Sequence, residues 1–150
     1  RSRVREFLLQ SLYARSQYGK EFDIHLFAQS FYVTPMESVF SDPYFSDVFS
    51  WIQEQEGILI ALVKKYAPKF DPEIMPLINL LPIFIAAYEM LFLKSENVPP
   101  IVSINEAVEL AKKFSDDSAR ELINGVLNKL KDDSETVLDV LQPVSPVFFS

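Results

Sequence analysis

Residues 77–93 form the most apolar stretch of the chain, and this stretch limits the folds that the chain can adopt. It is slightly shorter than the roughly 20 apolar residues that cross a bilayer, and Asn79, Pro82 and Glu89 interrupt it. A helix that is apolar on nearly all sides is instead buried among other helices. We therefore predict a central buried helix that begins near Pro76 and bends at Pro82, because proline removes one backbone hydrogen bond.

Helical periodicity continues along most of the remaining sequence. Apolar residues recur at steps of three and four, strand-like alternation is nearly absent, and only three glycines are present. Besides the central helix, we predict a first helix that stops at Gly19 and helices over residues 24–32, 44–66, 104–114, about 119–130 and 135–141. The sequence thus predicts an all-α bundle of six to seven helices, with residues 1–141 as one domain and residues 142–150 as a tail containing prolines and phenylalanines.

Two of the predicted helix starts carry a further local signal. Ser103 with Glu106, and Ser118 with Glu121, have the spacing of a capping box. In that motif the serine hydroxyl accepts a hydrogen bond from a backbone amide, and the glutamate reaches back to the serine. We expect Ser103 and Ser118 to cap the helices that follow them.

Charge is distributed unevenly along the chain. The formal net charge is −7, but residues 1–20 hold five basic residues and one glutamate, a net charge of +4, which leaves −11 for residues 21–150. A basic segment at one end of an acidic protein often contacts a phosphate backbone. The alternative is a solvated helix end whose arginines add only solubility, and charge alone does not separate the two.

The sequence offers little catalytic chemistry. Cysteine is absent, His25 is the only histidine, and the three glycines are too scattered to build a phosphate-binding loop. Asp116 with Asp117, and Asp132 with Asp133, lie where we expect helices to begin, so capping explains both carboxylate pairs without a metal. We expect a protein that is not an enzyme and that needs no metal and no cofactor.

The most specific pattern lies between residues 98 and 129. It consists of Val98 with Pro99, the run VSINEAVELAKKF over residues 102–114, and the run LINGVLNK over residues 122–129. This pattern resembles the signature of the NusB family, which has a VP, an INEAVELAK followed by phenylalanine, and an (I/V)NGVLDK at nearly the same distance.

Three other segments carry the same resemblance. They are the arginine-rich residues 1–13, the sequence YFSD at residues 44–47 and the sequence AAYE at residues 86–89. The resemblance follows the chain in order over almost its whole length and leaves residues 135–150 outside it. Such a C-terminal tail is unusual for the family.

The resemblance implies an all-helical fold of two packed subbundles and a cytoplasmic role in bacterial transcription. Proteins of this family form a heterodimer with NusE, a small-subunit ribosomal protein, and the pair binds the boxA element of nascent RNA. The complex helps RNA polymerase resist termination, chiefly on ribosomal RNA operons. The acidic part of the chain suits a basic ribosomal protein, because complementary potential speeds encounter. Homo-oligomers remain an open alternative.

The resemblance also implies roles for individual residues, with arginines contacting phosphates and Tyr13 stacking on an unpaired base. The residues expected to bind RNA are Arg1, Arg3, Arg5, Gln10, Tyr13, Lys112 and Lys113. The signature residues expected to be mainly structural are Asn105, Glu106, Asn124 and Gly125. We expect Gly125 to lie at a close helix crossing. Leu122 stands where the family often has an aromatic residue associated with RNA contact, and leucine cannot stack on a base.

Two other functions are compatible with the sequence. One is the related helical domain that delivers ribosomal RNA to a cytosine methyltransferase, which would continue into a catalytic domain. The other is a divergent family member that acts only in protein interaction, with Phe148 and Phe149 as docking anchors or as a self-association patch.

Overall fold

The structure is a computed structural model that describes residues 2–31, 42–93 and 98–150. These residues form eight α-helices and no β-strand, which confirms the all-α prediction. The helices are α1 (Ser2–Tyr18), α2 (Ile24–Phe31), α3 (Pro43–Glu54), α4 (Glu56–Tyr66), α5 (Leu77–Phe92), α6 (Pro100–Phe114), α7 (Ser118–Asp133) and α8 (Val137–Val140).

The central helix is α5, as predicted from its apolar sequence. Nearly all of its residues are buried, including Pro82 inside the helix. It contacts α1 and α3, which pack on each other, and it also contacts α6 and α7, which form a second packed pair. The two helix pairs therefore share α5 and one continuous core. Within the described ranges, no helix is both long and apolar enough to cross a membrane.

The helix expected over residues 44–66 is divided at Gln55, so the prediction of six to seven helices was one short. Gln55 has φ −106° and ψ 22°, and its amide donates to the carbonyl oxygen of Trp51 to close α3. Both α3 and α4 bury an apolar face, so the apolar pattern runs through the break without showing it. The break places Glu56 and Gly57 in the first turn of α4.

The two capping boxes predicted from sequence were wrong. Helix α6 begins at Pro100, so Ser103 lies inside it and its Oγ donates to Glu89 Oε1 at 3.0 Å. Helix α7 begins at Ser118 directly after Asp117, and the Ser118 amide donates to the carboxylate of Asp116 at 3.1 Å. A hydroxyl that finds a buried carboxylate on another helix contributes more there than at its own helix start.

Asp116 behaves as predicted for a helix start, and Asp133 does not. Hydrogen bonds from Ser118 and Asn79 hold the pKa of the Asp116 carboxyl below its usual value. Asp133 is the last residue of α7, and its Oδ2 accepts from the Tyr66 hydroxyl at 2.9 Å. Burial and this hydrogen bond raise the pKa of the Tyr66 hydroxyl. Because Tyr66 ends α4, the Asp133 contact joins α7 to α4 and does not cap a helix start.

A buried ion pair connects four helices. Arg5 on α1 donates from Nε and Nη2 to the two carboxylate oxygens of Glu89 on α5, each at 2.8 Å. Tyr44 on α3 donates its hydroxyl to Glu89 Oε2 at 2.6 Å, and Ser103 on α6 donates to Oε1. Each carboxylate oxygen of Glu89 therefore accepts two hydrogen bonds, and these bonds offset the cost of burying the charge.

The same contacts set the protonation of the pair. Burial would raise the pKa of Glu89, but hydrogen bonds from Arg5 and Tyr44 and the charge of Arg5 outweigh it and lower the pKa. Burial also disfavours the charged form of Arg5, yet the Glu89 carboxylate raises its pKa overall. Both groups therefore remain charged in the folded protein.

The C-terminal tail, residues 142–150, packs against the start of α4. Glu56 has no solvent exposure, and its carboxylate accepts from the backbone amides of Val147, Phe148 and Phe149 at 2.5, 2.6 and 3.0 Å. The carbonyl oxygen of Gly57 accepts from the Val144 amide at 3.2 Å. The tail thus runs across the α3–α4 junction and is held mainly through its backbone.

Phe149 contradicts the proposal that both terminal phenylalanines are docking anchors. Its side chain is only 8 % exposed and belongs to the hydrophobic core, while Phe148 is half-buried against that core. The Phe149 ring is therefore packed inside the molecule and is not available to a binding partner.

We predict that Glu89→Gln lowers the free energy of unfolding by about 3–5 kcal/mol, because it removes the carboxylate to which the buried Arg5 guanidinium is hydrogen-bonded. Urea denaturation at neutral pH measures this difference. Glu109→Gln, an exposed glutamate on α6, is the matched control and should change stability little.

The pH dependence follows from the lowered pKa of Glu89. Its stabilising contribution is present above the ordinary glutamate pKa of 4.5 and is lost as the pH falls through the lower folded-state value. Between neutral pH and acid, wild type should therefore lose more stability than Glu89→Gln. Parallel acid profiles for the two proteins would contradict this assignment.

We predict that Gly57→Ala detaches the tail, because an added Cβ would lie 2.3 Å from the carbonyl oxygen of Val144. We expect a destabilisation of about 1–3 kcal/mol and faster hydrogen exchange at the amides of residues 147–149. Gly125→Ala is the control, because a Cβ there meets nothing within 4 Å and should stabilise α7 by about 0.5–1 kcal/mol. Unchanged exchange in Gly57→Ala would show that the close approach does not hold the tail.

Candidate nucleic-acid interface

One face of α1 is turned away from the core and carries three of the seven predicted RNA-binding residues, Arg3, Gln10 and Tyr13. Arg3, Tyr13 and Gln17 are exposed on this face, and Glu6 and Gln10 are half-buried between them. The helical spacing of three and four places all five on one stripe because α1 is continuous from Ser2 to Tyr18. We call this stripe the α1 face.

Tyr13 and Arg3 differ in the chemistry that they offer. The Tyr13 side chain is 40 % exposed, so part of its ring is accessible for stacking. Arg3 is exposed near the start of the helix, where a guanidinium can reach a phosphate. At 1.5 Å per residue the two Cα atoms are about 15 Å apart along the helix axis.

Lys113 on α6 lies beside the α1 face. Its Nζ forms an ion pair with Glu6 Oε1, so the structure brings this predicted residue to the α1 face. Lys112 forms an exposed ion pair with Glu109, at 3.0 Å and one helical turn away on α6 itself. Both lysines therefore already face a carboxylate, and pairs this exposed exchange readily with other anions.

Arg5 does not belong to the α1 face. Its side chain is 7 % exposed, and its guanidinium is held by Glu89. A second carboxylate oxygen, Glu106 Oε2, lies 3.6 Å from Nη1. The expected phosphate contact is therefore wrong for this residue, because reaching RNA would leave the buried Glu89 charge uncompensated. The sequence held a signal for this, since Leu8, Leu9 and Leu12, all buried, follow Arg5 at spacings of three, four and seven. Arg1 lies outside the described residues.

Of the four signature residues, one contacts α1 and three are exposed to solvent. Glu106 joins α6 to the start of α1, because its Oε2 accepts from Ser2 Oγ at 3.2 Å and approaches Arg5. Asn105, Asn124 and Gly125 are exposed. The close helix crossing expected at Gly125 is wrong, since a Cβ built there meets no atom within 4 Å.

Leu122 is buried, with 2 % of its side chain exposed. It packs into the core from α7 and lines a cavity with Gly125 and Phe70. A residue at this depth contributes to folding and offers no surface to a base.

A cavity of about 380 Å³ lies at the C-terminal end of the α1 face. It is lined by Tyr13, Ser16 and Gln17 of α1, by the segment before and into α5, residues 75–78, and by Val147 and Phe148 of the tail. Gln17 could have been found from its position on the same helical stripe. The tail residues could not, because their place depends on contacts with Glu56 and Gly57.

Within the described ranges, no group of three or more histidine, aspartate or glutamate side chains is arranged to hold a metal ion. His25 is exposed in the first turn of α2, where the carboxylate of Asp23 accepts from its backbone amide at 2.9 Å.

Comparison with known proteins identifies the family of the chain. The model of the NusB family matches residues 2–132. A protein from Bacillus subtilis strain 168 named Transcription antitermination protein NusB is 35 % identical over 95 residues, which are 63 % of this chain and 71 % of that protein. A protein of the same name from Lactiplantibacillus plantarum is 30 % identical over 131 residues, 87 % of this chain and 93 % of that protein. From residue 2 to residue 132, in sequence and in helical architecture, the chain belongs to the NusB family.

Proposed function

We propose that the protein is a non-enzymatic transcription antitermination factor that acts in the cytoplasm. In this proposal it binds boxA-type single-stranded RNA together with a NusE-like ribosomal protein and supports transcription of ribosomal RNA within the RNA polymerase antitermination complex. Family membership and the names of the two relatives support the transcriptional role. The α1 face is the observation that carries the RNA-binding part.

The α1 face suits a flexible single strand better than a rigid duplex. Arg3 offers phosphate contacts at one end, with Lys113 beside it, and Tyr13 offers a ring on which an unpaired base can stack. Gln10 lies between them and can hydrogen-bond to sugar or base edges. Phosphate contacts of this kind set affinity and stacking tolerates many bases, so the strand is held mainly by charge and shape.

The acidic remainder of the chain limits how much RNA the protein holds alone. Residues 21–150 carry a net charge of −11 and repel phosphate outside the α1 face. The same charge attracts a basic ribosomal protein, which would add its own cationic surface to the RNA. We therefore expect tight RNA binding only in the complex with the partner.

We predict that Arg3→Ala weakens binding of a boxA-like single-stranded RNA and reduces the slope of log affinity against log salt by about one. Fluorescence anisotropy across a salt series measures both quantities. Lys131→Ala is the matched control, because Lys131 is an exposed cation on α7, outside the α1 face. Equal salt slopes for wild type, Arg3→Ala and Lys131→Ala would remove α1 from the RNA interface.

We also predict that a purified NusE-like partner raises the RNA affinity of the protein at least tenfold at physiological salt. Titration of the RNA with the protein alone, with the partner alone and with the mixture tests this. If the protein captures the partner but neither the protein alone nor the mixture binds RNA, the results would instead favour a family member that acts only in protein interaction.

A further inference from the structure

We propose that the C-terminal tail completes a base-binding pocket at the end of the α1 face, in which Tyr13 and Phe148 flank an unpaired RNA base. This inference rests on the proposed function, and it adds a ligand site from a segment beyond residues 2–132, the part that matches the family. The juxtaposition that carries it is the cavity of about 380 Å³ shared by α1 and the tail.

The tail is held firmly enough to form a wall of a binding site. Three consecutive tail amides donate to the fully buried carboxylate of Glu56, and Phe149 is inserted in the core. Phe148 lies between two of these anchored residues, so its backbone position is fixed on both sides. A backbone held in this way loses little conformational entropy when a ligand arrives.

The lining of the cavity suits a base and not a phosphate. Each described residue that lines it is uncharged, although the protein as a whole is acidic. Tyr13 and Phe148 supply aromatic rings, and the side-chain amide of Gln17 supplies a hydrogen-bond donor and acceptor for a base edge. Aromatic rings with a few polar groups are the usual equipment for holding an unstacked base.

The position of the cavity also suits RNA. It lies on the same helix face as Arg3, roughly 15 Å further along α1. A strand whose phosphates contact Arg3 and Lys113 can therefore continue along the α1 face and place a later base between Tyr13 and Phe148. The tail extends the interface in length and adds no charge to it.

The test identifies which base of the RNA, if any, depends on the Phe148 side chain for binding. Binding of a boxA-like single-stranded RNA is measured for wild type and Phe148→Leu, and then for a set of the same RNAs that each lack one base. We expect Phe148→Leu to weaken binding of the intact RNA roughly 5- to 150-fold, the range for the loss of one base–aromatic stack. For one abasic RNA the difference between the two proteins should vanish, and Tyr13→Leu should identify the same base.

Two further variants separate pocket formation from other effects. Gly57→Ala, which displaces the tail backbone, should abolish the same coupling while leaving the salt slope due to Arg3 unchanged. Phe92→Leu removes an exposed ring that packs on Trp51 at the other end of α5, and it should leave RNA binding unchanged. Unfolding curves for each variant confirm that it is folded.

The outcomes distinguish this inference from the proposed function. Salt-dependent RNA binding that is sensitive to Arg3→Ala but shows no base coupled to Phe148 overturns the pocket and leaves the proposed function standing. Tighter binding by Phe148→Leu also overturns it, because the tail would then cover the RNA site. Absence of RNA binding by wild type, with and without the partner, overturns both.

Discussion

The carboxylate of Glu89 is the point on which the arrangement of α1, α3, α5 and α6 depends. A charge at this depth is tolerated only with full hydrogen bonding, and its four bonds come from Arg5, Tyr44 and Ser103 on three other helices. A rotation of α1 by one residue would remove Arg5 from Glu89. The pair therefore fixes the rotation of α1 about its axis, and this rotation places Arg3 and Tyr13 on the outer face.

Local sequence patterns were sufficient to predict the helices and their class. The apolar run of α5 required neighbours on all sides, and the three-four spacing elsewhere indicated helices that could supply them. The break at Gln55 was missed because apolar residues continue on both sides of it. The first capping box failed because the Ser103 hydroxyl donates to Glu89 on another helix, which the sequence does not bring near it. The second failed because the amide and hydroxyl of Ser118 donate to Asp116, two residues earlier.

The candidate interface was predictable as a helix face and not residue by residue. A count of arginines treats Arg3 and Arg5 as equivalent, whereas their positions on α1 give one a solvent-facing guanidinium and the other a buried counter-charge. Ion pairing reduces the free positive charge further, since Lys113 is already paired with Glu6. The tail was invisible to pattern analysis because its placement depends on a buried glutamate and a glycine far away in sequence.

The contact between Glu56 and the tail also bears on the order in which the molecule is completed. Val147 and Glu56 are 91 residues apart, so their contact forms only after the whole intervening chain has been synthesised. During synthesis from the N-terminus, α1 to α7 emerge before the tail and can form the core without it. The buried carboxylate of Glu56 can accept hydrogen bonds from the three tail amides only after these residues have been synthesised. Docking of the tail therefore cannot precede translation through residue 149.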